Sequence, residues 1–112
     1  MVARKEEVLD QALTNTGTYT TSVKATVLDY DKTLILIKNG DDTNTLQYVI
    51  KGVMDVDDQT NSVRTLLSAT DLAAASIAVH SLTDPYDGVW IEVRRKTAGQ
   101  TISSVKAWIN RR

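Results

Sequence analysis

The chain contains no cysteine, one proline (Pro85) and one histidine (His80). Without thiols, neither a disulfide framework nor a thiolate-ligated metal site can form. Small secreted domains often use disulfides to supplement a thin core, so their absence favours cytoplasmic synthesis or stabilisation through assembly. No charge of one sign dominates: 13 basic residues face 14 acidic ones, for a formal net charge of −1. A general nucleic-acid binder needs a basic excess to displace phosphate counterions, so nucleic acid is not an expected partner. The basic residues Arg94, Arg95, Lys96, Arg111 and Arg112 read as a solvated C-terminal end.

No apolar run is long enough to cross a bilayer. The N-terminus, Met1-Val2-Ala3-Arg4-Lys5-Glu6-Glu7, turns charged at once and lacks the apolar stretch of a signal peptide. The expectation is a soluble, unprocessed chain with no membrane partner. A lone histidine also leaves little room for a hydrolytic triad. His80 lies inside a strand pattern with no nucleophile motif beside it, and reads as structural. There is no phosphate loop, no GxGxxG and no Cys/His metal spacing, so no cofactor is called for and the chain reads as a non-enzyme.

Apolar residues make up 42% of the 112 positions and charged residues 24%, a composition that folds around a single core. Threonine and valine are abundant, and β-branched side chains suit a pleated, half-buried surface. Strands are predicted over 22–28, 32–38, 45–54, 63–68, 77–82, 89–96 and 101–109. Asn39-Gly40-Asp41-Asp42 supplies turn chemistry between the second and third of these, which read as a hairpin. Asp71-Leu72-Ala73-Ala74-Ala75 has the composition of one helical turn capped by Thr70 or Asp71. Val8, Leu9, Ala12 and Leu13 sit at helical spacing, yet residues 7–13 suit an edge strand or arm equally well. Roughly seven to eight short strands separated by turns indicate an all-β, two-sheet antiparallel sandwich of jelly-roll or immunoglobulin-like type. Residues 1–17 form an arm or edge segment to a single domain spanning 18–112.

The last two strands carry the strongest local pattern. Joined as a hairpin through Ala98-Gly99-Gln100, they set Val93 against Val105, Ile91 against Ala107 and Val89 against Ile109 on one apolar face. The other face then pairs Trp90 with Trp108, Glu92 with Lys106 and Arg94 with Ser104. A slip of one residue would mix the two faces. Tryptophan and arginine are enriched at interface anchors, which makes Trp90, Trp108, Arg94 and Lys106 the candidate contact residues. The same tryptophans could instead be a cross-strand pair under the N-terminal segment, or a platform for a sugar ring. Carboxylates at Asp29 and Asp31, Asp41 and Asp42, and Asp55, Asp57 and Asp58 offer oxygen ligands of the type Ca²⁺ takes. The last cluster lacks the glycine and terminal glutamate of an EF-hand loop, and all three read as solvated acidic loops.

The stretch Lys38-Asn39-Gly40-Asp41-Asp42-Thr43-Asn44-Thr45-Leu46-Gln47-Tyr48-Val49-Ile50-Lys51-Gly52 resembles the N-G…L-x-Y-x-I-x-G segment of small β-sandwich structural proteins of tailed bacterial or archaeal viruses. Ala69-Thr70-Asp71-Leu72-Ala73, the stretch from Asp84 to Val93, and Ala98-Gly99-Gln100 with its closing strand are similar to later strands of that group. These loose patterns span the chain from about Thr18 onward. The resemblance implies a virion component made in the host cytoplasm, such as a head-decoration or head–tail protein. It would act by repeated protein contacts as a homo-oligomer or on a capsid-type assembly, with no catalytic residues. A carbohydrate- or other ligand-binding sandwich is the alternative.

Overall fold

The computed structural model describes residues 4–14, 18–27, 30–55, 57, 60, 62–83 and 86–112. The expected strand end at Leu28 and turn at Asp84-Pro85 lie outside these residues, as do Asp29 and Asp58 of the acidic loops. Nine strands and no helix occur among the described residues: β1 (Arg4–Leu13), β2 (Thr20–Thr21), β3 (Ala25–Thr26), β4 (Thr33–Asn39), β5 (Leu46–Val53), β6 (Val63–Leu72), β7 (Ile77–Leu82), β8 (Gly88–Arg95) and β9 (Ile102–Arg111). They form two antiparallel sheets. One has the order β1-β9-β4-β7; the other has β2-β8-β5-β6, with β3 continuing along β8. The segment that read as helix or strand is therefore an edge strand, while Asp71 and Leu72 of the alanine-rich piece end β6 and residues 73–75 lie in the turn after it.

Strand alternation explains which residues face inward. Ile35 and Ile37 of β4, Val89, Ile91 and Val93 of β8, and Val105, Ala107 and Ile109 of β9 join one buried cluster with Leu46, Tyr48 and Ile50 of β5. Each fully buried Ile or Val stabilises the fold by roughly 1.5–3 kcal/mol, so these inward rows dominate the energetics. Gly52 belongs to this packing through its lack of a side chain. A Cβ there would lie 3.0 Å from the Tyr86 ring and 3.1 Å from Leu66.

Neither expected hairpin forms. β4 pairs with β7 and β9, whereas β5 pairs with β6 and β8. β8 and β9 likewise lie in different sheets. The apolar faces of β8 and β9 do meet, but as opposite walls of the core and not as neighbours on one sheet. Apart from the β5–β6 turn and the β2–β3 step along one edge, each connection passes from one sheet to the other, which makes the sandwich a jelly roll.

The crossings after β4, β6 and β8 reach the same end of the sandwich, where side chains replace the ladder hydrogen bonds. Buried Asn39 donates through Nδ2 to the Leu72 carbonyl at 3.1 Å and the Asn44 carbonyl at 2.9 Å. Its Oδ1 accepts from the Asp41 amide at 3.0 Å. The Asp41 carboxylate accepts from the amides of Asn44 (2.7 Å), Thr43 (3.1 Å) and Ser103 (3.0 Å). The Asp41 carbonyl accepts from Ala75, which has φ 56° in the second crossing. Gly99, at φ 83°, supplies the left-handed residue of the third. Turn chemistry at Asn39-Gly40-Asp41 is thus present, but it turns the chain across the sheet gap of roughly 10 Å and not back along one sheet.

Two further contacts tie the sheets together. On one flank the Val23 amide donates to the Val8 carbonyl at 3.0 Å. At the far end buried Arg111 pairs with Glu6 at 2.7 Å, donates to the Thr26 carbonyl and lies over the Tyr30 ring.

Replacing Asn39 by Ala strands two carbonyls and an amide, at roughly 1–3 kcal/mol for each group that remains buried. The thermal midpoint of Asn39→Ala is expected to fall by roughly 10 °C. Asp42→Ala, at an exposed neighbouring position, serves as the control. Equal midpoints for the two variants would remove the structural role assigned to Asn39.

Candidate interaction surface

The outer faces of the two sheets differ in chemistry. On the β2-β8-β5-β6 sheet, Trp90 is only 5% exposed. Its indole Nε1 donates to Glu92 at 3.0 Å, and Lys24 lies 4.7 Å from its ring centre. Glu92 also pairs with Lys51 at 3.2 Å. Next along β8, the Arg94 guanidinium stacks 4.5 Å from the Tyr19 ring and donates to Gln47 at 3.1 Å. Gln47 donates to Asp71, which also pairs with Lys96. Those contacts hold the Asp71 carboxyl below its ordinary pKa, with the Lys96 hydrogen bond as the larger cause. Polar groups are satisfied side to side here, and the large ring is covered.

The β1-β9-β4-β7 sheet is built otherwise. Register aligns Glu7, Trp108, Leu36 and Val79 in one row across all four strands. Flanking rows run Lys5-Asn110-Leu34-Ser81 and Asp10-Lys106-Lys38-Ile77. Trp108, Leu34 and Leu36 are half-buried, while Val79 is 55% and Ile77 60% exposed. An apolar patch therefore stands on the solvent side, reached by alternation alone, because inward Ile35 and Ile37 force Leu34 and Leu36 outward. Lysines rim it: Lys5 lies 5.5 Å from the Trp108 ring centre, and Lys38 and Lys106 flank the other side. Beside the patch runs a cleft of about 640 Å³, lined by Lys5, Lys32, Leu34, Ser81, Asn110 and Arg112 among others.

The four candidate residues thus separate into two pairs. Trp90 and Arg94 stand on β8, and Trp108 and Lys106 stand on β9, on opposite outer faces. The expected Trp90–Trp108, Glu92–Lys106 and Arg94–Ser104 pairs do not form, because β8 and β9 belong to different sheets. The tryptophans cannot make a common sugar platform for the same reason. Leu34, Leu36, Ile77 and Val79 complete the patch around Trp108. In sequence, the apolar run Leu34-Ile35-Leu36-Ile37 of β4 suits a strand covered on both sides, so it gives no sign that Leu34 and Leu36 stand on an open face.

Asp41, Tyr48 and His80 make contacts within the sandwich. Asp41 spends its carboxylate oxygens on backbone amides, which hold its pKa well below the carboxylate range, Ser103 first, then Asn44 and Thr43. Tyr48 and His80 point inward from facing sheets and share a hydrogen bond of 2.6 Å between the phenol oxygen and Nε2. Burial raises the Tyr48 pKa and lowers that of His80, so both are uncharged near neutrality.

No protein-family model matches the sequence, and no curated protein sequence matches it either. Solved structures share the fold. A Bacillus endospore appendage protein, from disulfide-linked pili, superposes with a TM-score of 0.56 at 12% identity over 97% of this chain and 86% of its own. The SPBc2 prophage-derived protein YomS gives 0.50 at 12% identity over 99% and 95%. A chain of the infectious bursal disease virus Gx strain gives 0.52 at 13% identity; 97% of this chain aligns with 31% of that one. At such identities the likeness establishes a common β-sandwich fold.

Two outcomes follow from this geometry. At dilutions where the chain is monomeric, the remaining Trp90 of Trp108→Phe emits as a buried indole and resists iodide quenching, whereas the remaining Trp108 of Trp90→Phe is quenched. Equal quenching of both would contradict the division between covered and open faces. The second concerns acid. His80 has a folded pKa below its unfolded value of 6.5, so unfolding takes up a proton there. Its contribution is complete above that pH and is lost as pH falls through the folded pKa. Denaturant midpoints of the wild type should fall more steeply between pH 7 and pH 5 than those of His80→Gln. Parallel slopes would show that His80 carries no such linkage.

Proposed function

We propose that this chain is a non-enzymatic structural subunit that docks into a protein assembly through the outer face of its β1-β9-β4-β7 sheet. The observation that carries the reading is the row Trp108-Leu36-Val79, extended by Leu34 and Ile77 and rimmed by lysines. Contiguous apolar patches with an aromatic anchor and a polar rim are a mark of protein contact surfaces. Lys106 joins this surface from the predicted set. Trp90 and Arg94 act from the other face only as a stabilising network.

A virion is the assembly that the resemblance to tailed-virus structural proteins favours. The shared fold with a spore appendage protein, a prophage protein and a viral protein agrees with a role in repeated assemblies. Unlike pili joined by disulfides, an assembly of this chain must be held without disulfides, since the chain has no cysteine.

Leu36→Lys tests the surface at its centre with little cost to the fold. Light scattering on a dilution series should give the wild type a mass above the 12.3 kDa of one chain at high concentration. The variant should need at least tenfold more protein to reach the same mass. An assembly that is indifferent to both Leu36→Lys and Trp108→Ala would overturn the assignment to this face. A wild type that stays monomeric restricts the role to docking on another protein.

A further inference from the structure

Among the described residues, four strand edges border the two sheets, and three of them carry devices that block pairing with another chain. β1 has register shifts at Glu7/Leu9 and Gln11/Leu13 and bears Lys5, Glu7 and Asp10. β2 and β3 are two residues each. β6 shifts register against β5 at two points and carries Arg64 and Asp71. β7 has none of these. Ile77-Ala78-Val79-His80-Ser81-Leu82 contains no proline and no charged side chain, and pairs with β4 in unbroken register.

The free hydrogen-bonding groups of β7 can be assigned. The Asn39 amide donates to the Ser76 carbonyl at 3.0 Å, which makes that pair a hydrogen-bonded one. Antiparallel ladders alternate, so Ala78, His80 and Leu82 also turn their backbone groups toward β4. The amides and carbonyls of Ile77, Val79 and Ser81 then point to the open edge. Their side chains stand on the outer face, and Val79 ends the apolar row Trp108-Leu36-Val79.

We infer that β7 pairs antiparallel with β7 of a second copy of this chain across a two-fold axis, with Val79 opposite Val79. This rests on the assembly reading above and adds to it a partner and a register. In this register Val79 exchanges both hydrogen bonds with its counterpart, and Ile77 does so with Ser81 on each side of the axis. All three outward-pointing residues are satisfied; a shift by two residues leaves one of them without a strand partner. No charges oppose one another at the axis. Two four-stranded sheets become one continuous sheet, and the apolar row runs through it. The contact uses one short strand and the Ile77 and Val79 side chains. It therefore falls below about 1,200 Å² of total buried area, the range of reversible association.

The absence of cysteine makes single-cysteine cross-linking a clean test. Hydrogen-bonded antiparallel pairs have Cα atoms about 5.5 Å apart, within the roughly 4.4–6.8 Å that a disulfide spans. Under mild oxidation at high protein concentration, Val79→Cys should form a dimer several-fold more than Ile77→Cys or Ser81→Cys alone. Each of those residues lies about 13 Å along the strand from its own copy. An equimolar mixture of Ile77→Cys and Ser81→Cys should recover the cross-link. Separately, Val79→Lys should weaken association at least tenfold by light scattering. Cross-linking that is equal at the three positions, or that is matched by Thr65→Cys on β6, overturns the proposal, as does a strictly monomeric wild type. Repeating the oxidation in the Leu36→Lys background separates the two readings. A Val79 cross-link that persists there supports the edge dimer whatever becomes of the face. Association lost in Leu36→Lys but untouched by Val79→Lys keeps the face and removes the edge.

Discussion

Asn39 and Asp41 are the constraint on which this fold depends. Three crossings leave one sheet and enter the other at the same end, and there the backbone loses its ladder partners. A jelly roll can close such an end only if something else satisfies those groups. Asn39 reaches the end of β6 and the first crossing, while Asp41 reaches the first crossing and the start of β9. Both side chains are buried and short, so they fix the crossings at defined distances. The choice of which strand neighbours which follows from this knot as much as from the apolar pattern.

With the crossings fixed, the two sheets carry different outer surfaces. On the β2-β8-β5-β6 sheet, long polar side chains lie across the strands and bury Trp90 beneath Lys24 and Glu92. Those interactions lie at the surface and contribute little each, but they leave the indole covered. On the β1-β9-β4-β7 sheet, β4 is apolar on both sides, and among the described residues no comparable network roofs the row through Leu36 and Trp108. Burying that row against another protein gains more than burying the polar face, which would first have to lose its own hydrogen bonds.

The edges repeat the same contrast. Bulges, shortness or charge mark β1, β2, β3 and β6, while β7 is regular and uncharged and stands next to the apolar row. An open face and an open edge on one sheet place both contact modes on one side of the molecule.

The sequence by itself determined the class of the fold and the sidedness of its strands. Alternation in β8 and β9 separated Val89, Ile91, Val93, Val105, Ala107 and Ile109 from Trp90 and Trp108, because hydrophobic burial acts on each strand's own period. The same pattern put Trp90, Arg94, Trp108 and Lys106 on outer faces, but did not show which outer side chains are covered: Trp90 is buried and Trp108 only half-buried. Tertiary structure alone decided which strands are neighbours. A hairpin and a sheet crossing place the same residues inward, so the two are indistinguishable by periodicity. Hence β4–β5 and β8–β9 read as hairpins, and Trp90 and Trp108 as partners. The patch around Leu36 and Val79 was hidden for a related reason: an apolar run predicts a strand covered on both faces, whereas among the described residues nothing covers the outer face of β4. The role of Asn39 was likewise invisible, since a turn residue becomes a buried knot only when β6 and β9 arrive beside it.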